Sequence, residues 1–364
     1  MLFRSDILIF DEPTAVLTPQ ESDELFEIMR SLVAQGKSII FITHKLREVM
    51  EIADRIVVIR RGQVVGETTP AEADKNALAA MMVGRQVNLT VKKKEPQPGE
   101  LVFKMENLIV ADKFQNIVVD DVSFEIREGE ILGIAGVQGN GQTELVEAIT
   151  GLTKIASGRI TLLGQDISNA APRKITELGT AHVPEDRQSV GLVLPFPVAE
   201  NLVLCTYYQA PFSKGIILQY DAILEHAEKL IKEFDIRTPS QLTPVASLSG
   251  GNQQKVIIAR ELSRPIKFLA ASQPTRGLDV GSIEYIHKCI IQKRDEGCAV
   301  LLVSPELDEI MELSDRIAVM YRGKILAIVP NKGISKDYIG LLMAGIIPEE
   351  PIQLSGETEI EVTF

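Results

Sequence analysis

Part of this chain occurs in it twice, and that repeat constrains the fold more than any other feature of the sequence. Residues 6–84 align with residues 267–345 without a gap: IFDEPT lies over AASQPT, HKLREVME over PELDEIME, and DRIVVIRRG over DRIAVMYRG. A match that keeps its register over this length indicates one arrangement of secondary structure that is used twice.

Each copy has a pattern of alternating strands and helices. The predicted elements are a strand at Ile7–Phe10 and Phe268–Ala271, an amphipathic helix at Glu21–Ala34 and Ser282–Glu296, and a second strand at Ser38–Thr43 and Ala299–Ser304. Strands that consist almost entirely of apolar residues are typical of parallel sheets with helices on both faces. The pattern therefore predicts an α/β fold with a mostly parallel sheet.

The two copies differ in the length of chain in front of them. The second copy follows a stretch long enough to be most of a domain, whereas the first begins a few residues after Met1. The tandem repeat is therefore expected to be partial. The predicted divisions are residues 1–90 as the C-terminal remnant of a first domain, 91–100 as a linker, 101–346 as a complete second domain, and 347–364 as an acidic tail.

Composition excludes several classes of protein. With 45% hydrophobic and 24% charged residues the chain has the balance of a globular protein. A net charge of −12 and the absence of tryptophan disfavour nucleic-acid binding, and the run Lys92–Lys94 is expected to be a solvated part of the linker. Three cysteines without metal-like spacing disfavour a disulfide framework or a zinc site. No apolar stretch has the length of a transmembrane helix, and the start lacks a signal-peptide pattern, so a cytosolic protein is expected.

A glycine-rich segment follows the apolar stretch EGEILGIAG. It has the layout of the phosphate-binding loop G-x-x-x-x-G-K-[ST], with Gln142 in place of the lysine. Glycines allow backbone amides to approach a phosphate, and Thr143 stands where a hydroxyl would ligate Mg²⁺. The predicted nucleotide-binding residues are Gly136, Gly139, Asn140, Gly141, Gln142 and Thr143. Loss of the lysine predicts weaker binding, and a glycine turn that only packs a helix on a sheet is the alternative.

A second motif, LSGGNQQK, precedes the helical segment VIIARELSR. Ser249 is placed as an N-cap, and Gly250 and Gly251 leave the start of the helix open to an anion. Leu248, Ser249, Gly250, Gly251 and Gln253 are therefore further candidates for binding a nucleotide.

With these motifs the chain resembles the ATP-binding subunits of ABC transporters, in which LSGGQ is the signature. Residues 1–346 are most similar to double-length ATPases of bacterial importers for simple sugars and nucleosides, here N-terminally truncated. The matching segments are LSGGNQQKV, VPEDR, GVQGNGQTEL and QPTRGLDVG, of which the last two lean toward the nucleoside branch. The resemblance implies a P-loop NTPase fold with a mostly parallel core sheet, an antiparallel β edge and a helical subdomain, and it implies ATP and Mg²⁺ as cofactors.

The resemblance also implies roles for residues of the first copy. Asp11 would hold Mg²⁺, Glu12 would polarise the attacking water, and His44 would sense the γ-phosphate. A solvated pair of acids at a strand end and a structural histidine are the alternatives. The segment Ala15–Thr18 departs from the family's D-loop, which weakens the contact expected across the facing domains.

In the second copy the corresponding residues are Ser272, Gln273 and Pro305, so this site is expected to be almost inert. Glu185 stands where the family usually has a metal-contacting glutamine and is a metal candidate with Thr143. In the family a nucleotide lies between two facing domains, so Ser249 would serve the site that contains Asp11.

The expected function is that of the ATP-binding and ATP-hydrolysing subunit of an importer. By the resemblance, it would be peripheral to the cytoplasmic face of the inner membrane, attached to transmembrane permease subunits and indirectly served by an extracellular solute-binding protein. Little or no turnover is expected from the isolated chain, because the first phosphate loop is missing. The alternatives are a non-catalytic nucleotide-binding scaffold and a soluble tandem ABC ATPase that acts on ribosomes or DNA, which the net charge of −12 disfavours.

Overall fold

The computed structural model describes residues 5–14, 17, 19–60, 62–86 and 93–347. The chain divides into two compact units. Unit 1 comprises residues 1–91 and 277–285, and unit 2 comprises residues 92–276 and 286–364. Among the described residues, no helix has the length and apolar character that crossing a membrane requires. Three residues of the segment Ala15–Thr18 and most of the acidic tail lie outside the described residues.

Unit 1 contains two small sheets and three helices among its described residues. In chain order these elements are β1 (Ile7–Asp11), α1 (Pro19–Ala34), β2 (Ser38–Ile42), α2 (Leu46–Ile52), β3 (Ile56–Arg60), β4 (Gln63–Thr68) and α3 (Lys75–Val83). Strands β1 and β2 are parallel, with Ile9 opposite Ile40, and β3 and β4 are antiparallel. Helix α3 begins after Asp74, whose carboxylate accepts a hydrogen bond from the Ala77 amide, and it ends at Gly84 in the left-handed conformation.

Helix α1 supplies the core of unit 1 beside the first sheet. Its side chains Phe26 and Met29 are buried, and the ring of Phe26 packs edge-on against Phe41 of β2 with centroids 6.2 Å apart. Side chains alternate across a strand, so the residues on either side of Phe41 point to the other face of the sheet. Those residues, Ile40 and Ile42, are exposed.

Unit 2 holds the remaining elements. The first group is β5 (Leu101–Ala111), β6 (Ile117–Arg127), β7 (Ile131–Ala135), α4 (Gln142–Ile149), β8 (Ser157–Leu162), β9 (Gln165–Asp166), α5 (Pro172–Glu177), β10 (Thr180–Val183) and α6 (Val198–Leu202). The second group is β11 (Ser213–Lys214), β12 (Ile217–Leu218), α7 (Tyr220–Glu233), α8 (Gly250–Leu262), β13 (Phe268–Ser272), α9 (Val280–Asp295), β14 (Ala299–Ser304), α10 (Leu307–Leu313), β15 (Arg316–Tyr321), β16 (Lys324–Pro330) and α11 (Lys336–Met343). The first residues of α9 are grouped with unit 1.

The main sheet of unit 2 has six strands in the order β10-β13-β14-β7-β15-β16. All neighbours are parallel except β15 and β16, and a separate antiparallel sheet has the order β6-β5-β8-β9. One core joins the two sheets and α4, with the ring of Phe103 stacked on that of Phe268 at 4.6 Å. The predicted mostly parallel sheet, antiparallel edge and helical segment (α6 to α8) are confirmed.

The two units pair their strands in the same way. Ile7 lies opposite Ser38 in unit 1, and the corresponding Phe268 lies opposite Ala299 in unit 2. The antiparallel pair β3–β4 has an irregularity after Val58, and β15–β16 has one at the corresponding place. Strand β1 is one residue longer than predicted, because Asp11 also pairs with β2.

The expectation that the lysine run is solvated is wrong for Lys93. Its ammonium donates hydrogen bonds to the backbone oxygens of Leu313 at 3.1 Å and Ser314 at 2.5 Å. Burial lowers the pKa of Lys93, although the nearby Asp315 opposes this shift. Residues 93–100 have no regular secondary structure, and Lys93 anchors their start to unit 2.

Candidate functional site

The acidic pair of unit 1 lies at the carboxyl end of β1. Asp11 is the last residue of the strand and is exposed. Glu12 follows in the left-handed conformation with φ of 46°, and its amide donates a hydrogen bond of 2.9 Å to the backbone oxygen of Ile42. The left-handed conformation is unfavourable for a side chain other than glycine, so the tie to β2 helps to hold the Glu12 carboxylate in a fixed place.

His44 completes this group. Its Nδ1 lies 2.9 Å from Oε1 of Glu12, which is a hydrogen bond whose donor depends on the tautomer. The Glu12 side chain is 44% exposed and that of His44 is 23% exposed. The structure thus joins two of the residues proposed to be catalytic, with a carboxylate that solvent can reach.

A buried carboxylate, which the sequence analysis missed, supports the turn beneath this pair. Glu48 accepts hydrogen bonds from the hydroxyls of Thr14 at 2.6 Å and Thr43 at 2.8 Å. The corresponding hydroxyl of unit 2, on Thr275, donates to Glu309 at 2.6 Å. The sequence signal that could have identified this contact is a threonine and a glutamate at matching positions of both copies. The repeated bond indicates that these residues maintain the turn, since it is present with and without the acidic pair.

In unit 2 the backbone at the corresponding positions has the same conformation, but the functional side chains are replaced. Gln273 corresponds to Glu12, has φ of 44°, and donates its amide hydrogen to the backbone oxygen of Val303 at 2.7 Å. Ser272 and Pro305 stand in the positions of Asp11 and His44. These three positions therefore hold neither a carboxylate for a metal ion nor a group that could accept a proton from water.

The glycine-rich loop of unit 2 connects β7 to α4, as predicted. Gly141 precedes α4 with φ of 102°, and a Cβ at this residue would collide with the backbone oxygen of Val118. A Cβ at Gly136 would collide with the Gln142 side chain, whereas Gly139 has open space. Glycines are thus required here by backbone conformation and by close packing.

Gln142 does not extend outward from the loop. Its side-chain Nε2 donates to the backbone oxygen of Val137 at 3.0 Å, and its Oε1 accepts from the amide of Asn140 at 3.1 Å. The amide of Asn140 is one of the loop donors that a phosphate would use. With glutamine at position 142 the loop therefore lacks the positive charge of the usual lysine, and one of its backbone amides is already hydrogen-bonded.

Glu185 lies beside the loop and collects three hydrogen bonds. Its Oε2 accepts from the Thr143 hydroxyl at 3.0 Å, and its Oε1 accepts from Gln138 at 2.8 Å and from the guanidinium of Arg276 at 2.6 Å. The resemblance predicted Glu185 and Thr143 as metal candidates, whereas no local pattern in the sequence connects Gln138 to Glu185.

Magnesium is usually held by one or two carboxylates together with phosphates and waters. The exposed carboxylate of Asp11 fits this requirement. Both oxygens of Glu185 are already engaged, one of them by the guanidinium of Arg276, so Glu185 and Thr143 fit it poorly. Within the described part of the chain, no cluster of three or more His, Cys, Asp or Glu side chains is arranged to hold a metal ion.

The serine motif lies at the start of α8. Ser249 is the N-cap residue, but its Oγ accepts a hydrogen bond from the side chain of Asn252 at 2.9 Å instead of capping an amide. Gly250 lies against the guanidinium of Arg187, where a Cβ would come within 2.9 Å of Nη2. The amides at the start of α8 are therefore available to an anion.

Two other residues of this motif point inward. Leu248 is buried, and the Gln253 side chain is 2% exposed and donates a hydrogen bond to the backbone oxygen of Val245 at 3.2 Å. The oxygen of the same amide accepts a hydrogen bond from Gln188. Their contacts are those of residues that hold the loop, whereas Ser249, Gly250 and Gly251 form its surface.

Comparisons with known proteins show which family this chain resembles. A family model described as "ABC transporter" matches residues 119–276. A nucleoside import ATP-binding protein of Lactococcus lactis, NupA, is 53% identical over 341 residues, which are 94% of this chain and 67% of that protein. A guanosine import ATP-binding protein of Bacillus subtilis, NupO, is 51% identical over 97% of this chain and 69% of that protein. A glucose import ATP-binding protein of Haloferax volcanii is 44% identical over 93% of this chain and 62% of that protein.

Solved structures share the fold. A nucleotide-free ATP-binding cassette of an ABC transporter has a TM-score of 0.55 and 24% identity and covers 64% of this chain and 92% of its own. A dimeric cassette bound to ADP and phosphate also has a TM-score of 0.55, with 21% identity over 64% of this chain and the whole of that one. At these identities the likeness is evidence for the fold alone.

Proposed function

The chain belongs to the ABC transporter family of ATP-binding proteins, and from that premise we propose that it is the ATP-binding subunit of a nucleoside importer. Relatives named for nucleoside or guanosine import are 53% and 51% identical to it, whereas the relative named for glucose import is 44% identical. A sugar importer is the second candidate, and that relative supports it.

The pairing of Glu12 with His44 at 2.9 Å is the observation that carries the assignment of ATP hydrolysis to unit 1. In the proposed mechanism the exposed Glu12 carboxylate accepts a hydrogen bond from the attacking water and draws its proton away as the water approaches the γ-phosphate. His44 holds the carboxylate through Nδ1 and contacts the γ-phosphate. Mg²⁺, held by the Asp11 carboxylate and the phosphates, would neutralise charge on the phosphates.

The two units have different roles in this proposal. Residues 1–90 are part of a first ABC domain that supplies the water-activating group, and residues 101–346 are a second domain that binds nucleotide without efficient hydrolysis. Support comes from Ser272, Gln273 and Pro305, which replace the metal ligand, the base and the histidine. The open helix start at Ser249 serves as the anion-facing loop of a facing domain.

The proposed partners are transmembrane permease subunits at the cytoplasmic face of the inner membrane, with an extracellular solute-binding protein acting through them. The names of the curated relatives, which are import proteins, support this assignment. The net charge of −12 argues against the alternative of a tandem ATPase on ribosomes or DNA.

Deletion of the gene tests the proposed function. Uptake of radiolabelled guanosine by the host cells is expected to fall by about tenfold or more and to return when the chain is expressed from a plasmid. Uptake of radiolabelled glucose is measured for comparison with that of guanosine. A loss confined to glucose would select the sugar importer, and unchanged uptake of both solutes together with association of the chain with ribosomes would contradict an importer.

Replacing Gln142 with lysine is expected to tighten ATP binding to unit 2. A unit charge at ~4 Å from a phosphate is worth roughly 4 kcal/mol at an effective dielectric constant of ~20, before the cost of desolvation. We therefore expect at least about a tenfold lower Kd, which corresponds to ~1.4 kcal/mol, in calorimetric titration of the whole chain with ATP.

Gln142→Met is the matched control, because it frees the amide of Asn140 without adding a charge. If methionine tightens binding as much as lysine, release of the loop would explain the gain, and the charge argument would be wrong.

A further inference from the structure

A guanidinium lies beside the glycine-rich loop of unit 2. It belongs to Arg276, in the turn that follows β13, and its Nη1 donates a hydrogen bond to Oε1 of Glu185 at 2.6 Å. The same oxygen accepts a hydrogen bond at 2.8 Å from Nε2 of Gln138, which is a residue of the loop. Because both donors bind one oxygen atom, the positive charge of Arg276 is adjacent to the loop.

The backbone of Arg276 is fixed, whereas its side chain is free to turn. The backbone oxygen accepts a hydrogen bond from the guanidinium of Arg187 at 2.7 Å, and the amide donates to the backbone oxygen of Gln273 at 3.2 Å. The side chain itself is 45% exposed. Exposed side chains change rotamer within nanoseconds, so the guanidinium can exchange one partner for another while the turn stays in place.

Glu185 competes with a phosphate for the donors of this loop. Its second oxygen, Oε2, accepts a hydrogen bond from the Thr143 hydroxyl at the start of α4, at 3.0 Å. A carboxylate in this place repels the phosphates of a nucleotide unless a cation neutralises it. Glu185 thus engages two donors of the loop, on Gln138 and Thr143, together with the cation Arg276.

The site needs a cation that its loop does not supply. Gln142 is uncharged, and a guanidinium binds phosphate well because its N–H donors are arranged in a planar fork. The residue of the first copy that corresponds to Arg276 is Ala15. In unit 2 the positions of the acidic pair hold Ser272 and Gln273, so these two residues do not compete with a phosphate for the guanidinium.

We propose that Arg276 is the phosphate-binding cation of the nucleotide site in unit 2, and that Glu185 competes with the nucleotide for it. The phosphates take the guanidinium from Glu185, and the hydrogen bonds from Gln138 and Thr143 to that carboxylate open at the same time. The charge that a loop lysine usually provides then comes from the turn after β13. The inference rests on the proposed function, because it takes unit 2 to bind nucleotide.

The test is a calorimetric titration of the whole chain with ATP, without Mg²⁺, so that no metal ion neutralises the phosphates. Arg276→Met is expected to raise the Kd for ATP by at least about tenfold, the usual loss when a hydrogen bond to a charged group is removed. The Kd for adenosine, measured by competition with a fluorescent ATP analogue, should stay unchanged because adenosine has no phosphate. Glu185→Gln is expected to lower the Kd for ATP by at least about tenfold, since a competing negative charge is removed.

The decisive comparison uses Glu185→Gln as the background. Adding Arg276→Met is still expected to raise the Kd for ATP by at least about tenfold, because the contact with the phosphates is lost. If Arg276 served only to neutralise Glu185, its replacement would have no effect in this background, and the proposal would be wrong.

Arg159→Met is the matched control. Arg159 is an exposed arginine that pairs with Asp166 at 2.9 Å on the antiparallel sheet. Its replacement should leave the Kd for ATP unchanged, and circular dichroism should show that all variants keep the same helix content. A loss as large as that of Arg276→Met would mean that any lost arginine charge weakens binding, and it would overturn the specific role of Arg276.

Failure of this inference can be told apart from failure of the proposed function. ATP binding that Arg276→Met leaves unchanged would overturn the inference, while unit 2 would remain a nucleotide-binding domain. Absence of ATP binding by both the native chain and Glu185→Gln would contradict nucleotide binding by unit 2 and this inference together.

Discussion

Replacing Glu12 with glutamine is expected to lower the importer's rate of ATP hydrolysis by about 10²–10⁴-fold, the usual contribution of a positioned general base. An amide cannot take a proton from the attacking water, but it has the size of the carboxylate. The backbone bond from residue 12 to Ile42 and the contact with His44 can both persist. The loss should therefore appear in the rate of hydrolysis and not in the folding of unit 1.

The measurement is solute-stimulated ATP hydrolysis in membrane vesicles from cells that carry the variant in place of the native chain. Gln273→Ala is the matched control, since Gln273 has the same backbone position in unit 2. We expect it to change the rate by less than about twofold, because it removes no proton acceptor. Equal losses at positions 12 and 273 would contradict the assignment of the hydrolytic group to unit 1.

Replacing Arg294 with methionine is expected to destabilise unit 2 by about 3–5 kcal/mol, the usual cost of breaking a buried ion pair. Its side chain is 1% exposed. The guanidinium donates to Asp315 at 3.0 and 3.2 Å and to the backbone oxygen of Lys94 at 2.9 Å. Asp315 also accepts the amide hydrogen of Ile131, at the start of β7. The variant leaves a buried carboxylate without its main partner.

Urea unfolding followed by circular dichroism measures this loss. Arg127→Met is the control, because Arg127 pairs with Glu125 at 3.2 Å and both side chains are more than 40% exposed. Such surface pairs contribute at most about 1 kcal/mol. Comparable shifts of the midpoint for the two variants would show that the Arg294 network does not stabilise the fold as we infer.

Local signals account for what could be predicted of the fold. Runs such as ILIF and ILGIAG form strands because of their own composition. Gly36 and Gly297 end helices in the left-handed conformation, in which a residue with a side chain is strained. The repeat also carried information on the register of strand pairing, because two segments with the same sequence pattern pair their strands in the same way. The element boundaries were accordingly close to those observed.

What could not be predicted depends on contacts between residues distant in the chain. The ammonium of Lys93 reaches the end of α10, so a run of charges that resembled a solvated linker is partly buried. Gln142 closes on its own loop, and Glu185 is shared by Gln138 and Arg276. The spacing in the sequence identified the residue types of the loop, but it did not show which hydrogen-bond donors of the loop were already occupied by other groups of the chain.

Steady-state ATP hydrolysis by the purified chain of residues 1–364, with Mg²⁺ and no other protein, tests most directly the division of chemistry between the units. Residues 1–100 contain Asp11, Glu12 and His44 without a glycine-rich phosphate loop, and unit 2 contains that loop without the acid, base and histidine. No turnover above the buffer rate is predicted. Mg²⁺-dependent turnover by the chain alone, abolished by Glu12→Gln, would contradict it.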